Sequence, residues 1–232
     1  MNVETIPKGF KYVDLKKHVM NEAGKKLVSN GYKMIKSQEC FTKTNSSGKI
    51  DIAFGFLNFH PLDYKFHFSI TIWIKTIQDA VKYFYDSMNI SEPVKWCTTF
   101  WEGDFINTHK ELDWKFRVNY YNVVKSPQEA DHLLEKSLTI LVEKAIPLAD
   151  SISTFESFRD YYLNNRPEIV KNFASDNLFV SILMAAFITE KSSFYSLSKY
   201  LKSKLVEKKK DGVYYSGLFS LLEKLDSFVS SS

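Results

Sequence analysis

Arginine is almost missing from this chain. Of its 31 basic residues only Arg117, Arg159 and Arg166 are arginine, and the net charge is just +4. Arginine's planar fork is the preferred reader of phosphates and base edges, so dedicated nucleic-acid recognition is not expected. Cysteine is scarce too: Cys40 and Cys97 form no CxxC and have no histidine at ligand spacing. One disulfide is arithmetically open, but two buried free thiols are the favoured reading. The 8 glycines are scattered, with no GxGxxG and no P-loop. No GxSxG elbow or HExxH is present, although a triad assembled from distant residues stays open. The longest apolar run, Leu178 to Ile188, is interrupted by Ser181 and is too short to span a bilayer. The opening MNVETIPKGFKY has no apolar core of a signal peptide. These absences set the expectation of a soluble cytoplasmic protein with no cofactor, no bound metal and no membrane partner.

What is abundant is aromatic carbon. Phe, Trp and Tyr make up 16% of the 232 residues, in a chain that is 44% hydrophobic and 25% charged. That balance belongs to a globular protein large enough to bury a core without staples. Some of the aromatic excess falls in residues 49 to 76. Ile50, Ile52, Phe54 and Phe56 alternate with Asp51, Ala53 and Gly55. After His60-Pro61-Leu62-Asp63, a second run sets Tyr64, Phe66, Phe68, Ile70, Ile72 and Ile74 against Lys65, His67, Ser69, Thr71 and Lys75. A period of two in β-branched and aromatic residues predicts antiparallel strands buried on one face. The phase slips at Leu57-Asn58-Phe59, as at a bulge or at the end of regular pairing.

Around this hairpin the pattern is mostly helical. Leu15, Val19, Ala23 and Leu27 predict a helix that stops at Asn30-Gly31. Residues 32 to 44 read as one strand or two short ones, and Asn45 to Gly48 as a turn. A helix is expected over 77 to 89, a short strand over 94 to 100, and a last strand over Leu112 to Tyr120. Ser126-Pro127-Gln128-Glu129 predicts a capped helix that Pro147 ends or kinks. Ser153-Thr154-Phe155-Glu156 opens another, to about Asn164. From Arg166 onward only helical patterns remain, and the final serines are expected to fray.

Two groups of polar residues invite a chemical reading. Glu102, Asp104, His109, Glu111 and Asp113 crowd the segment from Trp101 to Trp114. Carboxylates near a histidine can do acid–base work or hold a metal, but the spacing matches no metal motif, and a solvated turn around Gly103 is the favoured reading. His60 and His67 flank the hairpin turn, and His67 is expected half-exposed on its polar face. Lys199, Lys202, Lys204 and Lys208 to Lys210 make a basic helix end; the helix dipole is the favoured explanation, and use by an anionic partner stays open. Trp73, Tyr83, Tyr85, Trp101 and Tyr121 lie off the apolar faces. They suit either interface anchors or packing beneath covering helices, for which Ala53, Gly55, Ser69 and Thr71 leave room.

A Lys-rich helix ending in Gly31-Tyr32, a stretch with Phe41, a turn, an aromatic strand pair and a later helix with Ile146-Pro147-Leu148 follow one another. This order resembles uncharacterised bacterial domain-of-unknown-function families, in particular the DUF four-three-zero-four group, over about residues 11 to 160. The resemblance implies a non-enzymatic accessory protein, some such families being similar to members of toxin–immunity loci. It transfers no catalytic residue.

The expected architecture is α+β: an antiparallel sheet of four to five strands packed with helices, followed by a C-terminal all-helical extension. Residues 1–165 would form the α+β domain, and 166–232 the extension docked on it. The expected role is binding another protein, with no nucleic acid involved, in an accessory or immunity-like module. His67, Trp73, Lys75, Trp101, Glu102, Asp104 and His109 are the candidate binding residues. The rival expectation is a small hydrolase-like or metal-dependent enzyme using the 101 to 114 loop.

Overall fold

A computed structural model describes residues 11–59, 63–90, 97–106, 122–167, 176–210 and 216–232. The first helix, α1 (Tyr12–Ser29), buries Leu15, Val19, Ala23 and Leu27, the stripe predicted from spacing. Gly31 takes φ +84, a left-handed turn that L side chains avoid, and the Tyr32 amide donates back to the Leu27 carbonyl at 3.0 Å. The next stretch is two strands, β1 (Lys33–Ile35) and β2 (Cys40–Thr44), paired antiparallel with Met34 opposite Phe41. Asn45 then closes a turn: its side-chain oxygen accepts from the amides of Ser47 and Gly48 at 2.9 and 2.8 Å.

The hairpin is the longest part of the sheet. β3 (Gly48–Phe59) and β4 (Asp63–Ile74) run twelve residues each. Ile50, Ile52, Phe54, Phe66, Phe68, Ile70, Ile72 and Ile74 are buried, as the alternation predicts. β3 continues through Leu57 to Phe59 without ending at the phase slip. With β5 (Thr98–Trp101) and β6 (Asn122–Val124), the sheet has six strands among the described residues, in the order β1-β2-β3-β4-β5, and β6 also pairs with β4. Residues 32 to 44 take the two-strand form of the expectation, and β6 was not among the expected strands. The expected strand at Leu112 to Tyr120, and the start of the one at 94, lie outside the described residues.

Helix boundaries follow local chemistry more than spacing. α2 (Lys75–Ser87) starts directly at the end of β4, so Lys75 is helical and not on the strand's polar face. A short α3 (Glu102–Ile106) follows β5. Ser126 caps α4 (Pro127–Ile140) by accepting from the Glu129 amide at 3.2 Å, but the Glu129 carboxylate returns to the Lys125 amide. Pro147 does not end this helix. A π-helical turn, Leu141–Ala145, precedes it, in which the Ile146 amide reaches back five residues to Leu141, and α5 (Ile146–Ser151) continues. The wider turn absorbs the missing proline N–H and the crowding of its ring against the preceding turn. Thr154, not Ser153, caps α6 (Phe155–Asn164), in a reciprocal box with Ser157.

The chain forms two compact units, and their division differs from the expected boundary near 165. The first takes Met1–Thr44, Ile50–Thr71 and Phe100–Asp150; the second takes Asn45–Lys49, Ile72–Thr99 and Ser151–Ser232. In the first, α1 packs against α4, and α4 against β6. In the second, α7 (Asp176–Thr189) packs on α2, on α6 and on α8 (Lys191–Lys210), while α9 (Ser216–Ser231) packs on α8 and α2. The C-terminal stretch from α7 onward is helical, as expected, and packs on α2 and α6. Residues 178 to 186 of α7 are all buried. Helix α9 runs through Ser231, whose hydroxyl donates to the Ser227 carbonyl. Cys40 and Cys97 are free and buried. No helix among the described residues is long and apolar enough to cross a membrane.

Gly48 marks the tightest approach in the second unit. A Cβ there would stand 1.8 Å from the Trp73 carbonyl oxygen. Backbone cannot yield as a flexible side chain does, so Gly48→Ala is expected to lose stability at or above the top of the usual overpacking range of about 1–3 kcal/mol. A urea midpoint indistinguishable from that of the parent protein would contradict this.

Candidate functional site

The outer edge of β4 is shared by two short strands. β6 covers Tyr64 to Phe66, and farther along the Cys97 amide donates to the Ile72 carbonyl at 2.9 Å. Phe68 lies between, with its amide on the same edge as that of Phe66, two residues before. Glu102, the first residue of α3, fills this place. Its Oε2 accepts from the Phe68 amide at 3.1 Å, and its Oε1 accepts from the Asn122 side chain at 3.0 Å. Glu102 is 1% exposed. Burial pushes its carboxyl above the ordinary range, while Asn122, Ser137, the Phe68 amide and the Lys136 charge pull it back. Asp104 is equally engaged: its Oδ2 accepts from the Trp101 amide at 2.8 Å. Both carboxylates serve the local backbone.

His67 is buried, at 5% exposure, where half-exposure was expected. Gly55 on β3 leaves an empty place that the imidazole fills, and a Cβ at Gly55 would come within 2.7 Å of the ring. The indole of Trp101 lies against its other side, ring centres 5.1 Å apart. The space left by Gly55 therefore admits a neighbouring strand's side chain. Burial lowers the His67 pKa to about 4, so the ring is neutral at physiological pH.

His67, Trp101, Glu102 and Asp104 thus gather in the first unit. Trp73 and Lys75 belong to the second, and His109 lies outside the described residues. Trp73 is half-buried with the Lys49 ammonium 4.3 Å from its ring centre, and Lys75 is exposed at the start of α2. The described residues contain no group of three or more His, Cys, Asp or Glu placed to hold a metal.

Two further features are a groove the sequence did not suggest and an aromatic cluster around Tyr83, one of the rings singled out as a possible anchor. A groove of about 370 Å³ lies between α1 and α4, where His18 Nε2 meets Asp131 Oδ1 at 2.7 Å. Nothing in the sequence announces it, since 113 residues separate the pair. In the second unit, Phe187 packs edge-on to Phe194 and Phe228, and Tyr83 lies edge-on to Phe228. Tyr83 is 63% exposed, Tyr195 44% and Ile188 39%. The Tyr195 hydroxyl is 3.4 Å from that of Ser230, two residues beyond Phe228. Of the aromatics singled out from the sequence, Tyr83 is exposed, Trp73 and Trp101 are half-buried, Tyr85 is buried, and Tyr121 lies outside the described residues.

Two of the buried titratable groups, His67 and Glu102, predict opposite slopes of stability with pH. His67 falls from 6.5 to about 4 on folding, so the unfolded chain takes up its proton first. Stability is therefore lost as pH falls from 6.5 towards 4, and His67→Gln should flatten that loss. Glu102 is raised above 4.5, so the folded chain holds its proton longer. Its contribution is present below 4.5 and declines as pH rises through the folded value, and Glu102→Gln should flatten that decline. Urea midpoints of the three proteins from pH 4 to 8 decide; parallel curves would contradict both assignments.

Comparison with known proteins finds no family model, no curated protein and no solved structure that matches this chain.

Proposed function

We propose that this chain is a cytoplasmic, non-enzymatic accessory module that binds another protein, of the immunity-like kind its sequence resemblance implies. The observation that carries this reading is the set of exposed rings on the second unit. Tyr83 and Tyr195 stand at the rim of a packed aromatic cluster, with Ile188 beside it in sequence on α7. Large amphipathic rings held partly in place are what protein interfaces use as anchors. The rival reading is an enzyme using the 101 to 114 loop, with Glu102, Asp104 or His109 as acid, base or ligand; His109 lies outside the described residues. Glu102 is sealed from solvent with both oxygens accepting from the fold, and Asp104 caps a backbone amide. These partners favour a structural role for Glu102 and Asp104.

A photo-crosslinking residue placed at Tyr83 or Tyr195 is expected to capture one protein from cells of the native host. The same residue at Val28, an exposed position in the first unit, should capture none. Capture that is equal at all three positions, or none at any of them together with turnover of a substrate by the purified protein, would overturn the proposal.

A further inference from the structure

Helix α8 buries Phe194, Leu197, Ser198, Leu201 and Leu205 and turns the rest of its surface outward. At 100° per residue, Lys191, Tyr195, Lys199, Lys202, Val206 and Lys209 fall within one arc of about 80°. All six are exposed, and from Lys191 to Lys209 they run roughly 27 Å along five turns. Charge and apolar surface alternate along this line. Tyr195 and Val206, at 44% and 45% exposure, each stand between lysines four or three residues away. The only acid on α8, Glu207, pairs with Lys204 at 2.6 Å. Asp226 of α9 takes Lys202. Lys191 and Lys199 make no ion pair among the described residues. The helix dipole explains lysines at the C-terminal end but not Lys191, which lies in the first turn, where a cation is disfavoured and the nearest acid in sequence is Glu190 at the N-cap.

We infer that this stripe is a docking surface for an acidic amphipathic helix of a partner protein. The inference rests on the protein-binding reading above and names the partner's chemistry. Lysines at helical spacing with apolar residues between them complement a helix presenting carboxylates around a narrow apolar seam. A phosphate polymer is the poorer fit. The stripe carries no arginine fork, and a tyrosine and a valine at 44% and 45% exposure offer little to insert between bases or lipids.

The test uses the whole chain and a fluorescent 18-residue amphipathic peptide with glutamate on its polar face and leucine on the other. The same peptide with lysine for glutamate, phosphatidylserine vesicles and a single-stranded oligonucleotide serve as comparisons. Saturable binding of the glutamate peptide is expected, weakening with salt and by tenfold or more in Lys191→Glu/Lys199→Glu. Tyr195→Ala should weaken it without removing the salt dependence. All these positions are exposed, and unchanged circular dichroism confirms that the variants fold. Tighter binding of vesicles or oligonucleotide, binding indifferent to the lysine reversals, or no peptide binding overturns the inference. Capture of a protein at Tyr83 by crosslinking would leave the module reading standing even then.

Discussion

The first unit depends on one buried carboxylate. Two short strands share the outer edge of β4, and between them the Phe68 amide needs an acceptor. A buried amide left unmade costs on the order of 1–3 kcal/mol, and Asn122 beside it has the same need. Glu102 answers both from a single side chain, with Oε2 to the amide and Oε1 to the carboxamide. The position is possible because β5 passes directly into α3, so that the first helical residue lies at the gap. The stacking of Phe105 on Phe68 then closes the apolar side of the same corner.

That arrangement reverses the meaning of a cluster of acids. In sequence, Glu102 and Asp104 near a histidine resemble an acid–base site. In the fold each accepts from a backbone amide. A carboxyl raised by burial is a recognised mark of catalytic groups, but structural networks raise it by the same physics. Glu102 is sealed from solvent and accepts from the fold on both oxygens. His67 follows the same logic, neutral because it is packed between Gly55 and Trp101 and away from water.

The hairpin was legible in the sequence because period-two burial is a local property, and Ile50 to Phe54 and Phe66 to Ile74 needed no knowledge of the rest. The helical stripes of α1 and α2 and the Ser126 cap were legible for the same reason. What escaped depended on partners distant in sequence. The burial of His67 is set by a glycine across the hairpin. The role of Glu102 is set by Asn122 and Phe68. The π-turn before Pro147 is a choice between stopping and widening that helix packing makes, with Leu141, Ala145 and Ile146 all buried. The division into units was hidden because the C-terminal helices announce themselves by their own periodicity, not by the α2 face they cover.

The inward turn of the chemistry-bearing residues leaves the second unit's helices as the informative surface. On α2, Ile77, Val81, Phe84 and Tyr85 fill the core face, so Tyr83 falls outside it. It is not adrift, since its ring leans edge-on against Phe228. A side chain already held in place loses less freedom when a partner covers it, out of the roughly 0.5–1.5 kcal/mol that ordering a mobile one costs. Tyr195 is held likewise by its contacts with Phe194 and Ser230. Tyr195 also belongs to the lysine stripe of α8, so the aromatic rim and the positive charge meet in one residue. A surface brought over the tyrosine comes close to Lys191 and Lys199, and acidic groups there complement their charge.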